Sequence, residues 1–389
     1  MRTLLTPAGQ EVLEAALALR PREAEFLAHW QALQRSFPAE LARAALETAI
    51  LRSEARAKYP FAEKLYFTRA ALEQASAWEV AAYRAGRYRG FDTLLDLGCS
   101  IGGDTLALAG AAPTLGIDLD PLRLRMAWAN LAALGLDRRA SLLQADLNQP
   151  LPLGAFRGKV GLFFDPVRRS GGRRAYSVKS YRPPLEIVRG WLPDFPALGV
   201  KISPGVDLDE LRGYEAEVEF VSLAGELKEA ALWFGPLRSA RRRATVLPGP
   251  HSLAGSGDQP PPWLSEPLGW LYEPDPAILR AGLVRALGEQ LGAAQLDPDI
   301  AYLTAADPRS TPFARRWRVE DWFPFGLKRL REYLRLRGVG RLTVKKRGSP
   351  LQPEALIRDL RLDGEAERTI FLTHLSGRPI VIVAGSALE

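Results

Sequence analysis

The chain is short of the residues that metal sites and disulfides use. It has one cysteine, Cys99, and three histidines, His29, His251 and His374, far apart in the sequence. A lone cysteine excludes an internal disulfide. The scattered imidazoles do not match the short Cys/His spacings of a zinc site, so no metal is expected. No apolar run approaches the roughly twenty residues that a membrane helix needs, and no membrane partner is expected. The opening segment MRTLLTPAGQEVLEAALALR continues into acidic, amphipathic sequence without a signal-peptide cleavage pattern. That predicts a cytoplasmic protein.

What is present reads as ordinary globular material. The 389 residues are 47% hydrophobic and 25% charged, enough for two or three domains with sizeable cores. Lys and Arg outnumber Asp and Glu 52 to 45, a net charge of +7. This excess suits a polyanionic partner such as nucleic acid. It equally suits the Arg-rich composition of a GC-rich genome.

Four stretches differ in texture. Residues 1–90 carry apolar residues at helical spacing (Leu13, Ala16 and Leu17; Leu41, Ala45, Leu46 and Ile50) and predict a helical N-terminal domain. Residues 91–247 alternate strand and helix: TLLDLG, TLGIDLD, SLLQADL, VGLFFDP and LGVKISPG read as successive strands of a doubly wound α/β domain. AEVEFVSL and AALWFGPL read as an antiparallel pair that closes this sheet. Residues 248–267, rich in Pro, Gly and Ser, read as a linker. Residues 268–389 alternate again and predict a smaller α+β domain.

The most informative segment is DLGCSIGGDTLALA, Asp96 to Ala109, at a joint between strand and helix. In an open parallel sheet ligands bind at the carboxyl ends of the strands, where a glycine turn admits them and a helix N-terminus offers free N–H groups. The dinucleotide fingerprint G-x-G-x-x-G is broken here, with Ser100 at its second glycine. A carboxylate two residues before the first glycine points instead to D-x-G-x-G-x-G, the S-adenosylmethionine loop. Asp96, Gly98, Ser100 and Gly102 fill that pattern with one departure. Ser lacks the freedom of glycine at positive φ, so a slightly reshaped loop is expected.

Three further carboxylates arrive in order at strand ends. Asp118 is placed to bind ribose hydroxyls, Asp146 to meet an adenine amino group, and Asp165 to face the transferred methyl. Any one of them could be a turn former; the ordered set favours a cofactor site. Asp104 reads as a helix cap, and Cys99 as a packed residue rather than a nucleophile.

With these residues in view, the chain resembles the bacterial class I S-adenosylmethionine-dependent methyltransferases that carry a C-terminal THUMP-like domain. The resemblance runs through DLGCSIGGDT, GIDLDPLRL with AWAN, FFDPVRRSGGRR, VKISPGVD, YEPDPAILRAGL and LTVKKRG, nearly the whole chain. It implies a Rossmann-like core with S-adenosyl-L-methionine as cofactor. THUMP domains of related enzymes bind RNA, so it also implies an RNA partner, tRNA or rRNA.

Methyl transfer from a sulfonium needs positioning more than acid–base help. Asp165 and the Pro166 carbonyl are placed to accept hydrogen bonds from an acceptor amino group. The usual aromatic is missing from Asp165-Pro166-Val167-Arg168. Tyr176 or Tyr181 could supply a stacking face, or could be core. Cysteine-adduct chemistry at a pyrimidine carbon is disfavoured, because Cys99 belongs to the cofactor loop.

Arg168, Arg169, Arg173, Arg174, Lys179 and Arg182 form a basic run beside Asp165, suited to phosphate contacts. Arg315, Arg316 and Arg318 with Trp317 and Trp322, and Lys345, Lys346 and Arg347, are further candidate RNA contacts. The rival readings are a methyltransferase for a protein or small molecule, and a non-catalytic RNA-binding protein with a vestigial site.

Overall fold

The computed structural model describes residues 3–151, 156, 158–167, 169–170, 173–174, 177–257 and 262–385. Contacts divide the chain into two units, Met1–Ala216 with Ala230–Ser239, and Glu217–Glu229 with Ala240–Glu389.

The first unit opens with helices α1 (Pro7–Ala18), α2 (Phe26–Leu33), α3 (Ala39–Ala55), α4 (Arg69–Gln74) and α5 (Trp78–Ala85). Thr6 caps α1 by accepting the Gly9 N–H, with Pro7 in the first turn, where its missing donor costs nothing. Val12, Leu13 and Ala16 of α1 share a core with Ala42, Ala45, Leu46 and Ala49 of α3. Leu13, Ala16, Ala45 and Leu46 belong to the apolar rows that the helical spacing marked, whereas Leu17, marked with them, is exposed.

The α/β core follows with β1 (Thr93–Leu97), α6 (Gly103–Ala111), β2 (Thr114–Asp118), α7 (Pro121–Ala133), β3 (Ala140–Gln144) and β4 (Val160–Phe164). The short strands β5 (Arg169–Ser170) and β6 (Arg173–Arg174) pair with each other, and α8 (Val188–Trp191) and β7 (Leu198–Ile202) come next. β1 lies between β2 and β4; β3 extends one side and β7 the other, all in parallel. The chain order therefore reverses between β1 and β4, the position at which doubly wound sheets bind ligands.

The next strands are β8 (Glu217–Leu223) and β9 (Glu226–Trp233). β9 runs antiparallel to β7 through Ala230–Trp233 and belongs to the first unit there. In the second unit β8 pairs in parallel with β10 (Arg242–Leu247), and β11 (His251–Gly255) pairs antiparallel with β10. Composition suggested a linker over 248–267, yet His251–Gly255 is a polar edge strand. Backbone pairing does not require an apolar face, so composition could not reveal it.

The remaining elements are β12 (Trp270–Pro274), α9 (Pro276–Ala281), α10 (Val284–Leu291), β13 (Ala294–Asp297), β14 (Ile300–Ala305), β15 (Ala314–Pro324), α11 (Leu327–Leu336), β16 (Val339–Lys346), α12 (Pro353–Leu360), β17 (Ala366–Leu375) and β18 (Arg378–Ala384). Their strands form a seven-stranded sheet in the order β13-β14-β12-β15-β18-β17-β16. Leu330, Leu334, Leu356 and Leu360 of α11 and α12 pack with Ile370 and Val381. Trp317 and Phe371 meet edge to face, with ring centroids 5.0 Å apart. No helix among the described residues is long and apolar enough to cross a membrane.

Candidate active site

The site is built at the carboxyl ends of β1, β2 and β4. Asp96, next to last in β1, is fully buried, and its Oδ2 accepts the Thr105 hydroxyl at 2.5 Å. Its Oδ1 is buried with no hydrogen-bond partner. Burial, followed by the negative charge of Asp104, pushes its pKa up to about 8; the Thr105 hydrogen bond and the Arg84 guanidinium oppose the shift. Asp104, expected as a cap, instead forms an ion pair with buried Arg84. The Arg84 guanidinium also lies 4.4 Å from the centre of the Phe163 ring.

The loop between β1 and α6 bends through three left-handed residues, Gly98 (φ +85°), Ser100 (φ +51°) and Gly102 (φ +85°). Ser100 thus takes the conformation that favours glycine, and its N–H donates to Asp118 Oδ2 at 2.8 Å. That hydrogen bond helps offset the modest cost of the strained backbone. Gly98 has a second constraint: a Cβ there would lie 2.8 Å from the Asp165 carbonyl oxygen. The Asp165 N–H donates to the Leu97 carbonyl at 3.1 Å, so the β1 and β4 ends are in direct contact.

Asp118 ends β2 and is buried. It accepts two backbone N–H groups, Ser100 on Oδ2 and Asp120 on Oδ1 at 2.9 Å. A carboxylate offers about four acceptor positions, so capacity remains for a ligand. Asp146, two residues beyond β3, is used differently. Its Oδ1 takes both the N–H and the side-chain amide of Asn148, and these bonds pull its pKa down. This is the local Asx turn that its residue type allows.

Asp165 follows β4 and is partly exposed. Its Oδ2 accepts Lys201 Nζ at 2.8 Å, and Lys201, within β7, is only 3% exposed. Nζ also reaches the Gln74 carbonyl at 3.4 Å. Pro166 is buried beside it. Cys99 is buried and its pKa is pushed well up, chiefly by burial, which suits a packed thiol and not a nucleophile.

The candidate RNA residues fare unevenly. Arg168 and Tyr176 lie outside the described residues. Arg169, Arg173 and Arg174 sit in the β5–β6 pair, and Lys179 and Arg182 are exposed. Tyr181 is not a stacking face: it is 1% exposed, and its hydroxyl accepts the Ser203 N–H at 2.9 Å. Trp317 is likewise buried in the second unit's core. Arg316 is half-buried, with its guanidinium 5.9 Å from the centre of the Trp270 ring. Lys345 is engaged internally, paired with Glu273 at 2.5 Å, and Lys346 donates to the Leu351 carbonyl at 2.8 Å. Aromatic and basic side chains alternate into and out of a sheet, so neighbours in sequence need not share a surface.

Sequence reasoning missed Lys201, Arg84 and Asn130. Lys201 had a signal, a lone cation inside the apolar strand VKI. Asn130 accepts the Tyr66 N–H at 2.7 Å and donates to the carbonyls of Tyr66 and Ile101, tying α7 to the cofactor loop. It closes the AWAN stretch that carries the family resemblance, but that stretch did not reveal these bonds.

Comparison with known proteins completes the picture. The THUMP domain-like family matches residues 314–386, and a domain of unknown function matches residues 1–55. A crystal structure from Porphyromonas gingivalis W83, named provisionally as a methyltransferase, superposes with a TM-score of 0.78 at 23% identity, covering 94% of this chain and 99% of that one. That likeness establishes a shared fold. Uncharacterized S-adenosylmethionine-dependent methyltransferases from two strains of Mycobacterium tuberculosis, CDC 1551 / Oshkosh and H37Rv, are 38% identical over 319 residues, 79% of this chain and 84% of theirs. The glycine-rich turn, the open carboxylate at the end of β2 and this kinship agree: the chain belongs to the S-adenosylmethionine-dependent methyltransferases, with S-adenosylmethionine as its cofactor.

Proposed function

We propose that the protein methylates a base nitrogen in RNA, with Asp165 presenting the acceptor. The observation that carries this reading is the Lys201–Asp165 pair at the reversal of the sheet, where Asp165 also meets Gly98 of the cofactor loop. S-adenosylmethionine supplies an electrophilic methyl whose leaving group is a neutral thioether. Asp118 holds the ribose hydroxyls with its remaining acceptor positions. Asp146 would meet the adenine amino group, and Asp96, Gly98, Ser100 and Gly102 would shape the turn that receives the methionine end.

Lys201 fixes one Asp165 oxygen. The carboxylate and the Pro166 carbonyl accept hydrogen bonds from the acceptor amino group and aim its lone pair at the methyl. Such alignment is the main work of the site, since a misplacement of about 1 Å can cost roughly a hundredfold in rate. The THUMP domain-like match, the net charge of +7 and the arginines of β5 and β6 support RNA as substrate, with tRNA or rRNA the classes to test. Arg316, Lys345 and Lys346 are weaker candidates, because the contacts above already hold them.

The test is transfer of tritiated methyl from S-adenosylmethionine into fractionated cell extract. Label should enter ribonuclease-sensitive material, and RNA binding should weaken steeply with salt as counterions are released. Asp165→Ala should reduce transfer about a hundredfold or more while S-adenosylhomocysteine still binds. Label confined to protein or small molecules would overturn the RNA assignment. Transfer undiminished in Asp165→Ala would place the chemistry elsewhere.

A further inference from the structure

A second cleft lies in the first unit, away from the β1 and β4 ends. It has a volume of about 400 Å³ and is lined by Arg52, Glu63, Lys64, Tyr66, Trp128 and Ala132 among others. That is the size of a small-ligand site. Arg52 is its unusual member. It is 8% exposed, its Nε donates to the Leu65 carbonyl at 2.8 Å, and its guanidinium carbon lies 4.9 Å from the centre of the Tyr66 ring. Among the described residues no carboxylate forms an ion pair with it. Burial pushes its pKa down, while Tyr66 and Glu63 oppose the shift. Glu63 lies close enough for its charge to act on Arg52 but forms no ion pair with it, and the guanidinium's terminal amines suit a bidentate oxyanion.

The rest of the cleft specifies the ligand further. Trp128, on α7, is 59% exposed and lines the cleft. Lys64 adds a second cation and Glu63 an acceptor, both exposed. We infer that the Arg52–Trp128 cleft binds a nucleotide: its phosphate at Arg52 and Lys64, its base stacked on Trp128, its amino or hydroxyl groups toward Glu63. The chemistry is shared by a free nucleoside monophosphate and by one nucleotide of an RNA strand. The cleft is distinct from the cofactor site, although Asn130 joins its Tyr66 wall to Ile101 of the cofactor loop. The inference stands independently of the methyl acceptor.

The experiment is calorimetric titration of the full chain with S-adenosylhomocysteine saturating, so that the adenine site is closed. AMP, adenosine and a short oligoribonucleotide are the probes. AMP should bind, and adenosine at least tenfold more weakly for want of the phosphate. Trp128→Ala should weaken AMP about tenfold and Lys64→Gln several-fold, with S-adenosylhomocysteine affinity unchanged in both. Oligoribonucleotide binding without AMP binding, lost tenfold in Trp128→Ala, would identify the nucleotide as part of a strand and also support the site. No binding of either probe at millimolar concentration, adenosine binding as tightly as AMP, or binding indifferent to both variants would overturn it. Both variants are at exposed side chains, so a fold defect does not obscure the result; their thermal unfolding serves as control.

Discussion

The loop end of the first unit and the seven-stranded sheet of the second both hold ionisable side chains, but the loop end, beside its Lys201–Asp165 and Arg84–Asp104 pairs, also leaves acceptor positions of Asp96 and Asp118 unused. In the sheet the charges are matched to each other. Lys345 and Arg347 share Glu273, and Arg368 meets Glu320 at 2.8 Å. Lys346, exposed, donates to the Leu351 carbonyl. At the β1 end, Asp96 keeps one buried oxygen with no partner, and Asp118 uses half its acceptor capacity on backbone N–H groups. Burying a polar group without a partner costs about 1–3 kcal/mol, so folding alone does not favour that state. A ligand that completes the missing bonds recovers this cost on binding. The contrast separates charges that build a domain from charges that serve a ligand, a distinction that net charge and basic runs do not make.

The largest expected break in this contrast is at Asp118. Asp118→Ala should weaken S-adenosylhomocysteine binding more than tenfold, about 1.4 kcal/mol or more, measured by calorimetry. Two losses combine: the ribose loses its acceptor, and the Ser100 N–H loses the partner that holds the left-handed turn. Unchanged affinity would mean that the spare acceptor positions of Asp118 face no ligand, and the contrast with the second unit would lose its meaning.

How much of this was legible follows from whether a feature is local. Helical spacing in α1 and α3, and the carboxylates at the ends of β1, β2 and β4, are local patterns, and the structure has them as expected. Ser100 looked like a defect because its compensation, the Asp118 carboxylate, lies eighteen residues away. Lys201 was hidden for the same reason: its partner Asp165 is on the neighbouring strand, and sequence does not announce which strands adjoin. Tyr181 and Trp317 failed as surface residues because an aromatic in a short amphipathic segment carries no label for which face it takes. Pairing across strands and burial of single rings are tertiary facts, and they account for most of what the sequence withheld.

A smaller effect is expected at Asp96, read through pH. Its folded pKa of about 8 lies above the ordinary carboxylate value of 3.8. The folded state therefore holds a proton that the unfolded state releases. The stabilisation is complete below about pH 4 and is lost as pH rises to about 8. Asp96→Asn keeps a neutral side chain at every pH. Its melting temperature should gain on the wild type as pH rises across that window, by about 2–4 °C for each kcal/mol recovered. A pH-independent difference would mean that Asp96 is charged in the fold and that its unpartnered oxygen is not a buried cost.

The smallest effect should come from the second unit, and its smallness is the informative part. Lys345→Gln removes one basic residue from a cluster that sequence offered as an RNA contact. If Glu273 and the Trp317 ring, 5.1 Å from Nζ, already engage that ammonium, RNA affinity in filter binding should change less than about twofold, while stability falls by about 1 kcal/mol. Arg174→Gln, in β6, should instead weaken RNA by about fivefold and flatten the salt dependence by the contribution of one phosphate. Equal losses in the two variants would put the sheet's cations on the nucleic acid as well, and internal pairing would then no longer distinguish structural charge from functional charge in this protein.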